Sequence, residues 1–255
     1  MAGTLSVPRY LDGLYEAMVA FVRHAEQAGL AAAVPTCPGW TVRDLVAHQG
    51  MVHRWAAATL RGEEVPEPEA FEREGLADPD PLEWLRDGAV ALAQTLNEVP
   101  DDVAAPVFLK EPPAPRTFWA RRQCHETTIH AVDALAAALG RMPTPDEVWF
   151  DGELASDGVD ELLVGFLQRG KSRLRVDPAG VFVVIAEGRK WSLALSPDRA
   201  AVTTRSAAAG GGWSQWFLSG PAPDVYLQLW NRAVPPERPR GKLPDDWREL
   251  SAISW

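Results

Sequence analysis

Glu126 and His130 stand four residues apart in TFWARRQCHETTIHAVDALAAALG (117–140), a stretch with helical patterning. Residues at i and i+4 share one helix face, with Cβ atoms about 5–6 Å apart. A carboxylate and an imidazole at that spacing can grip one divalent ion, provided a facing helix supplies a third donor. The helix predicted over about 42–61 carries two candidates, His48 and His53. They are five residues apart, about 140° round the helix, so both cannot point at one ion. His48 follows Leu45 and Val46 and is the better candidate, because His53-Arg54 begins a more polar run. Asp133 shares the Glu126 face and suits either orientation of a ligand or solvation of the helix surface. Spacing alone leaves a metal centre and a mild Glu–His ion pair both open.

Other chemistries find less support. His125-Glu126 is followed by Thr-Thr-Ile-His, so the second histidine falls one position too late for H-E-x-x-H, which argues against a metalloprotease. There is no P-loop, G-x-G-x-x-G or G-x-S-x-G, and the Gly run at 210–212 reads as a turn. Cys37, between Pro35 and Pro38, and Cys124, on the far side of its helix from Glu126, read as structural. Two lone cysteines argue against a disulfide scaffold or a cysteine-rich zinc module and fit a reducing compartment.

The elements needed to position these residues follow from the pattern. Four helices are expected at about 8–29, 42–61, 81–98 and 116–139. Thr41 and Asp80 serve as N-caps, Pro81 sits at a first helical position, and Gly29 and Gly140 are stops. Four amphipathic helices in this span suggest a bundle over residues 1–142. The acidic, Pro-rich 62–80 segment is expected to be a solvated crossover and 101–116 a long loop. From residue 143 to 255 the pattern changes to a small α+β domain. It has a helical stretch at about 145–168, strands at 181–186, 190–195 and 200–204, a hairpin break at Glu187-Gly188-Arg189 and a helix near 222–232. The Pro-punctuated tail, residues 235–255, is expected to pack back through its aromatics.

Composition bounds the rest. The 255 residues are 46% hydrophobic and 24% charged, ordinary for a globular chain, and 25 basic against 35 acidic residues give a net charge of −10. Nothing in that balance favours nucleic acid or anionic lipid. No basic-then-apolar leader and no run of ~18 apolar residues is present, so a cytoplasmic protein without a membrane span is expected. Most of the eleven tryptophans are expected to be core, Trp213 and Trp216 among those near element ends.

VPTCPGWTVRDLVAHQGMVHRW (34–55) and WARRQCHETTIHAVDA (119–134) together resemble the mycothiol-dependent maleylpyruvate isomerase-like family of actinobacteria. The first is similar to its P-x-C-x-G-W-x-V-x-D-L-x-x-H segment, the second to its R-R-x-x-H-E-x-x-x-H-x-x-D segment. The resemblance covers most of residues 5–140 and implies a DinB-like metal-binding four-helix bundle. DGVDELLVGFL (157–167), the hairpin with Trp191, and GPAPDVYLQLWNR (220–232) resemble the family's sterol-carrier-protein-like α+β domain, with Tyr226 and Asn231 departing from the commoner Leu and Gly. The resemblance implies a divalent metal, commonly zinc, on His48, Glu126 and His130, and mycothiol as a thiol cofactor. It also implies a small electrophilic substrate of maleylpyruvate type, isomerised or thiol-transferred by thiolate addition and elimination. Arg232 is the candidate to pair with a substrate or cofactor carboxylate, although a surface salt bridge suits it equally. A noncatalytic metal- and ligand-binding protein is the alternative. The sequence leaves the oligomeric state open.

Overall fold

The computed structural model describes residues 4–64, 67–207, 214–233 and 241–253. The chain divides into two compact units. One contains Leu5–Val107 and Pro113–Pro143; the other holds Thr4, Phe108–Pro112 and the described residues from Thr144 onward.

The first unit is helical: α1 Val7–Ala28, α2 Val42–Arg61, α3 Pro68–Ala77, α4 Pro81–Glu98 and α5 Pro115–Leu139. The capping chemistry works as its residue types require. Thr41 and Asp44 form a reciprocal capping box at the start of α2, and Asp80 accepts from the Glu83 amide at the start of α4. Gly62 and Gly140 end α2 and α5 in the left-handed conformation, at φ 67° in both. α1 packs chiefly on α5, and α2 touches α3, α4 and α5. The core between them is built from side chains such as Tyr10, Phe21, Leu45, Leu60, Leu85, Phe118 and Trp119, all 2% exposed or less.

Helix α3 lies where a solvated crossover is expected. Its Pro68 sits at the start, where a missing amide costs nothing, and its sole buried residue is Gly75. That burial has a cause: a Cβ at Gly75 or at Gly50 of α2 would overlap the Trp84 ring. The Arg54 guanidinium lies 3.7 Å from the centre of that ring. A mostly exposed helix has too few apolar residues to show a periodic signal, which is why composition pointed to loop.

Helix α5 departs from the amphipathic pattern. It is buried on nearly every side, and Arg122, Gln123, His125, Glu126 and Asp133 are interior residues. The same burial reverses an expectation on α2: His53 is fully buried, although its sequence neighbourhood is the more polar. Its Nε2 lies 2.8 Å from the Gln49 amide nitrogen and 2.9 Å from the Thr127 hydroxyl, whose proton goes to the Gln123 carbonyl at 2.7 Å. Receiving that amide donor suits a neutral imidazole.

The second unit carries a sheet of order β3-β2-β1-β4-β5, from β1 Gly180–Ala186, β2 Arg189–Leu195, β3 Val202–Ala207, β4 Trp216–Gly220 and β5 Gly241–Lys242. Ala186 pairs with Arg189, so Glu187-Gly188 forms a two-residue hairpin turn with positive φ at both residues, 47° and 72°. β4 runs parallel to β1 and was not expected. The run at 208–213, with Trp213, lies outside the described residues. The helical stretch is broken: a short 3-10 turn at Pro145–Glu147 precedes α6, Gly152–Asp160, which runs on as a wide π turn, Glu161–Phe166. Asp160 ties this helix to the sheet, accepting from Trp191 of β2 at 2.9 Å and from the Arg205 guanidinium of β3. Two further helices complete the unit, α7 Ala222–Leu229 and α8 Trp247–Leu250. Trp247 packs on Phe182 and donates to the Leu229 carbonyl at 3.0 Å, so the tail does pack back through an aromatic; Trp255 lies outside the described residues.

Burial, then the neighbouring Arg54 charge, pushes the His53 imidazole down to about 3. Below its unfolded value of about 6.5 the unfolded chain binds a proton that the folded chain refuses, so His53 makes stability fall as pH drops from 6.5 toward 3. The difference in unfolding free energy between wild type and His53→Gln, measured by urea denaturation, should therefore shrink with falling pH. The slope approaches ~1.4 kcal/mol per pH unit. A pH-independent difference would contradict the neutral assignment.

Candidate metal centre

Three side chains from α2 and α5 converge. His48 Nε2 lies 3.9 Å from Glu126 Oε1, and His130 Nε2 lies 3.3 Å from the same oxygen. The three donor atoms all fall within 4.8 Å of one another. Ligands about 2.0–2.2 Å from a zinc ion are separated by roughly 3.3–3.6 Å in a tetrahedron. The cluster therefore needs only small adjustments to accept an ion. Its donor set, two imidazoles and a carboxylate, suits zinc and other borderline divalent cations.

The outer atoms of Glu126 and His130 already have hydrogen-bond partners, which fixes which atom of each faces inward. Arg122 donates to Glu126 Oε2 at 2.7 Å, leaving Oε1 toward the histidines. Asp133 Oδ2 lies 2.9 Å from His130 Nδ1, which ties the outer N–H of the ring and turns Nε2 toward Glu126, where an ion would replace the second proton of the charged ring. His48 Nδ1 faces the Glu72 carboxylate of α3 at 4.0 Å. Trp40, in the α1–α2 loop, completes the wall: its indole lies 5.0 Å from the His48 ring and 6.4 Å from the His130 ring, nearly parallel to the latter.

The electrostatics follow from this packing. Burial would raise the Glu126 carboxyl, but the Arg122 guanidinium and both histidines overcome it and hold the group well below the usual carboxylate range. Burial likewise opposes a charged His130, yet Asp133 and Glu126 outweigh it and lift the imidazole to about 9. Glu126 and Asp133 are thus balanced by the Arg122 guanidinium and the charged His130 ring.

The structure brings His48, Glu126 and His130 together and puts Asp133 behind His130. It puts Arg232 in the other unit, just past α7, where its guanidinium donates to the Trp230 carbonyl at 2.8 Å. Arg122 is the residue that sequence reasoning missed. An Arg121-Arg122 pair is ordinarily solvated or paired with acidic loops such as those at 62–80, but Arg122 is 1% and Arg121 8% exposed. An Arg four residues before the Glu, itself four before the His, was the available signal: all three lie on one helix stripe. Glu72 had no signal, since α3 itself was not expected. His125 and His24 play no part here; His125 packs edge-on against Tyr10, and His24 pairs with Gln27.

The mycothiol maleylpyruvate isomerase N-terminal domain family matches residues 11–135, which span α1 to α5 and all three donors. Over residues 11–135 the chain is similar to a mycothiol maleylpyruvate isomerase N-terminal domain. Among solved structures it is similar to the crystal structure of the mycothiol-dependent maleylpyruvate isomerase, with a TM-score of 0.55, and to that of a histidine-to-alanine mutant of the same enzyme, with a TM-score of 0.58. In both cases identity is 18% and 88% of each chain is covered, so the likeness extends beyond the N-terminal domain and is one of fold. No curated protein matches the chain. Among the described residues no helix is long and apolar enough to cross a membrane.

Within this N-terminal domain, Asp133 is expected to act on the metal through His130 alone. Asp133→Asn should weaken zinc binding by about 10–100-fold in isothermal titration, with one equivalent still bound. Unchanged affinity would show that the Asp133 contact does not set the His130 orientation.

Proposed function

We propose that the protein is a zinc-dependent enzyme of the mycothiol maleylpyruvate isomerase type, in which His48, Glu126 and His130 hold the ion and the small thiol supplies the nucleophile. The observation that carries this reading is the convergence of three donors, two of which, Glu126 and His130, already bond outward through their other atom and turn the inner one toward the common point. The family of the N-terminal domain supports the thiol, and the count of three donors supports catalysis over a closed structural site.

A divalent ion on two imidazoles and one carboxylate keeps net positive charge and an open position, where it lowers the pKa of a thiol. The chain's own residues do the remaining work. Arg122 neutralises the second oxygen of Glu126 and keeps that carboxylate ionised in a buried place. Asp133 holds the His130 proton on Nδ1, and Trp40 covers both imidazole rings and narrows the approach of water. Arg232 is proposed to bind the carboxylate of substrate or thiol cofactor, as a planar guanidinium can in bidentate fashion. The net reaction is the isomerisation of a small unsaturated acid by reversible thiol addition, with thiol regenerated. The reading places the protein in a reducing compartment, where such a thiol stays free.

The test is turnover of maleylpyruvate by zinc-loaded protein with and without mycothiol. Activity is expected only with both, is expected to vanish in Glu126→Gln, and is expected in Arg232→Ala with a raised KM and unchanged zinc content. Zinc-loaded protein that binds no thiol and turns over no maleylpyruvate-type acid would overturn the assignment.

A further inference from the structure

Cys37 is the one thiol near the centre, and the proposed function gives it nothing to do. It sits in the loop between α1 and α2, which short backbone bonds hold in shape: Val34 N–H to Trp40 O at 3.0 Å, Cys37 N–H to Val34 O at 3.1 Å and Trp40 N–H to Cys37 O at 3.0 Å. Gly39, at φ 89°, permits the tight reversal. The loop presents Cys37, partly exposed, to the far side of the His130–Asp133 pair. Its Sγ lies 3.4 Å from Asp133 Oδ2, and the same oxygen lies 2.9 Å from His130 Nδ1. Cys37, His130 and Asp133 thus offer a sulfur, a nitrogen and an oxygen within 4.8 Å of one another. Edges of roughly 3.3–3.8 Å are what tetrahedral coordination with Zn–N near 2.0 Å and Zn–S near 2.3 Å would span.

We propose that Cys37, Asp133 and His130 Nδ1 form a second cation site, selective for soft divalent ions, whose occupation competes with the centre at His48, Glu126 and His130. A thiolate in the donor set favours thiophilic ions, whereas the first centre, with none, does not. Binding releases the Cys37 thiol proton to solvent and changes no oxidation state. The competition comes from His130. A neutral imidazole has one lone pair; once Nδ1 takes a metal, the ring proton sits on Nε2, where Glu126 Oε1 at 3.3 Å accepts it. His130 is then lost to the first centre, and Asp133 no longer orients it. The competition, though not the second site itself, rests on the reading of His48, Glu126 and His130 as a metal centre.

The probe is cadmium added to the full-length, metal-free protein, followed by its ultraviolet thiolate-to-cadmium charge-transfer band. Wild type should develop the band at one equivalent, and His48→Ala should develop it too, since His48 is not a ligand of this site. Cys37→Ser should lose it while keeping its helical circular dichroism. Cys124→Ser should retain it, which assigns the band to Cys37 even if the Cys37 variant folds poorly. Zinc loaded beforehand should shift the wild-type titration to higher cadmium by more than it shifts the His48→Ala titration, where zinc competes only directly for the Cys37 donors. No band in wild type, or a band that follows Cys124, overturns the site. A wild-type band that zinc leaves unshifted, in protein shown to hold zinc, overturns the competition; protein that takes up no zinc at all, with the cadmium band intact, overturns the first centre instead.

Discussion

A carboxylate buried in the middle of a helix bundle must be paired, and Glu126 is paired on both sides. Its Oε2 accepts from Arg122 and its Oε1 faces two imidazoles. Taking a charge out of water costs several kcal/mol unless nearby charge and hydrogen bonds compensate. Here the compensation runs along one helix. Arg122, Glu126, His130 and Asp133 succeed one another at spacings of four, four and three residues, alternating basic and acidic down one stripe of α5. The stripe lies in the interior because α5 is enclosed by α1 and α2. The caps on α2, the Trp84 ring against Gly50 and Gly75, and the tied loop through Trp40 all serve to bring a third donor and a cover to that stripe.

The arrangement also explains why the pocket is chemically directional. Glu126 and His130 each have an occupied outer atom and an inner one turned toward the common point, so the protein supplies the orientation of two donors before any ion arrives. Arg122 and His130 balance Glu126 and Asp133 locally, while the whole chain carries −10. The His130 ring is the pivot: one nitrogen faces Glu126 and the other faces Asp133, with Cys37 behind it. Which nitrogen carries the proton decides which side can bind a metal. The second unit solves a similar problem by different means, placing Asp160 between the Trp191 indole and the Arg205 guanidinium to join a helix to a sheet.

Much of this was legible in the sequence because it rests on local rules. Helix starts at Thr41 and Asp80 and stops at Gly29 and Gly140 depend on capping chemistry within four residues. The Glu126–His130 pair depends on helical spacing alone, and the hairpin at Glu187-Gly188 on turn chemistry. What was not legible depends on tertiary neighbours. The choice of His48 over His53 rested on the expected polarity of their surroundings; in the fold His53 is the more buried of the two, yet it turns toward Gln49 and Thr127 while His48 faces Glu126. Arg122 looked like a solvent residue because nothing in α5 signals that its whole circumference is enclosed. Helix α3 and strand β4 were missed for opposite reasons: α3 is too exposed to show periodicity, and β4 is five residues long and owes its place to parallel pairing with β1.

The account stands on an ion held by three protein donors with one position left for a thiolate. X-ray absorption at the zinc edge, on protein loaded with one equivalent of zinc and then given mycothiol, reads that position directly. Before the thiol, the first shell should fit nitrogen and oxygen scatterers only, two of them imidazole. After it, one sulfur should appear at about 2.3 Å. A shell already containing sulfur before thiol is added, or one that stays free of sulfur at saturating thiol, would contradict the account.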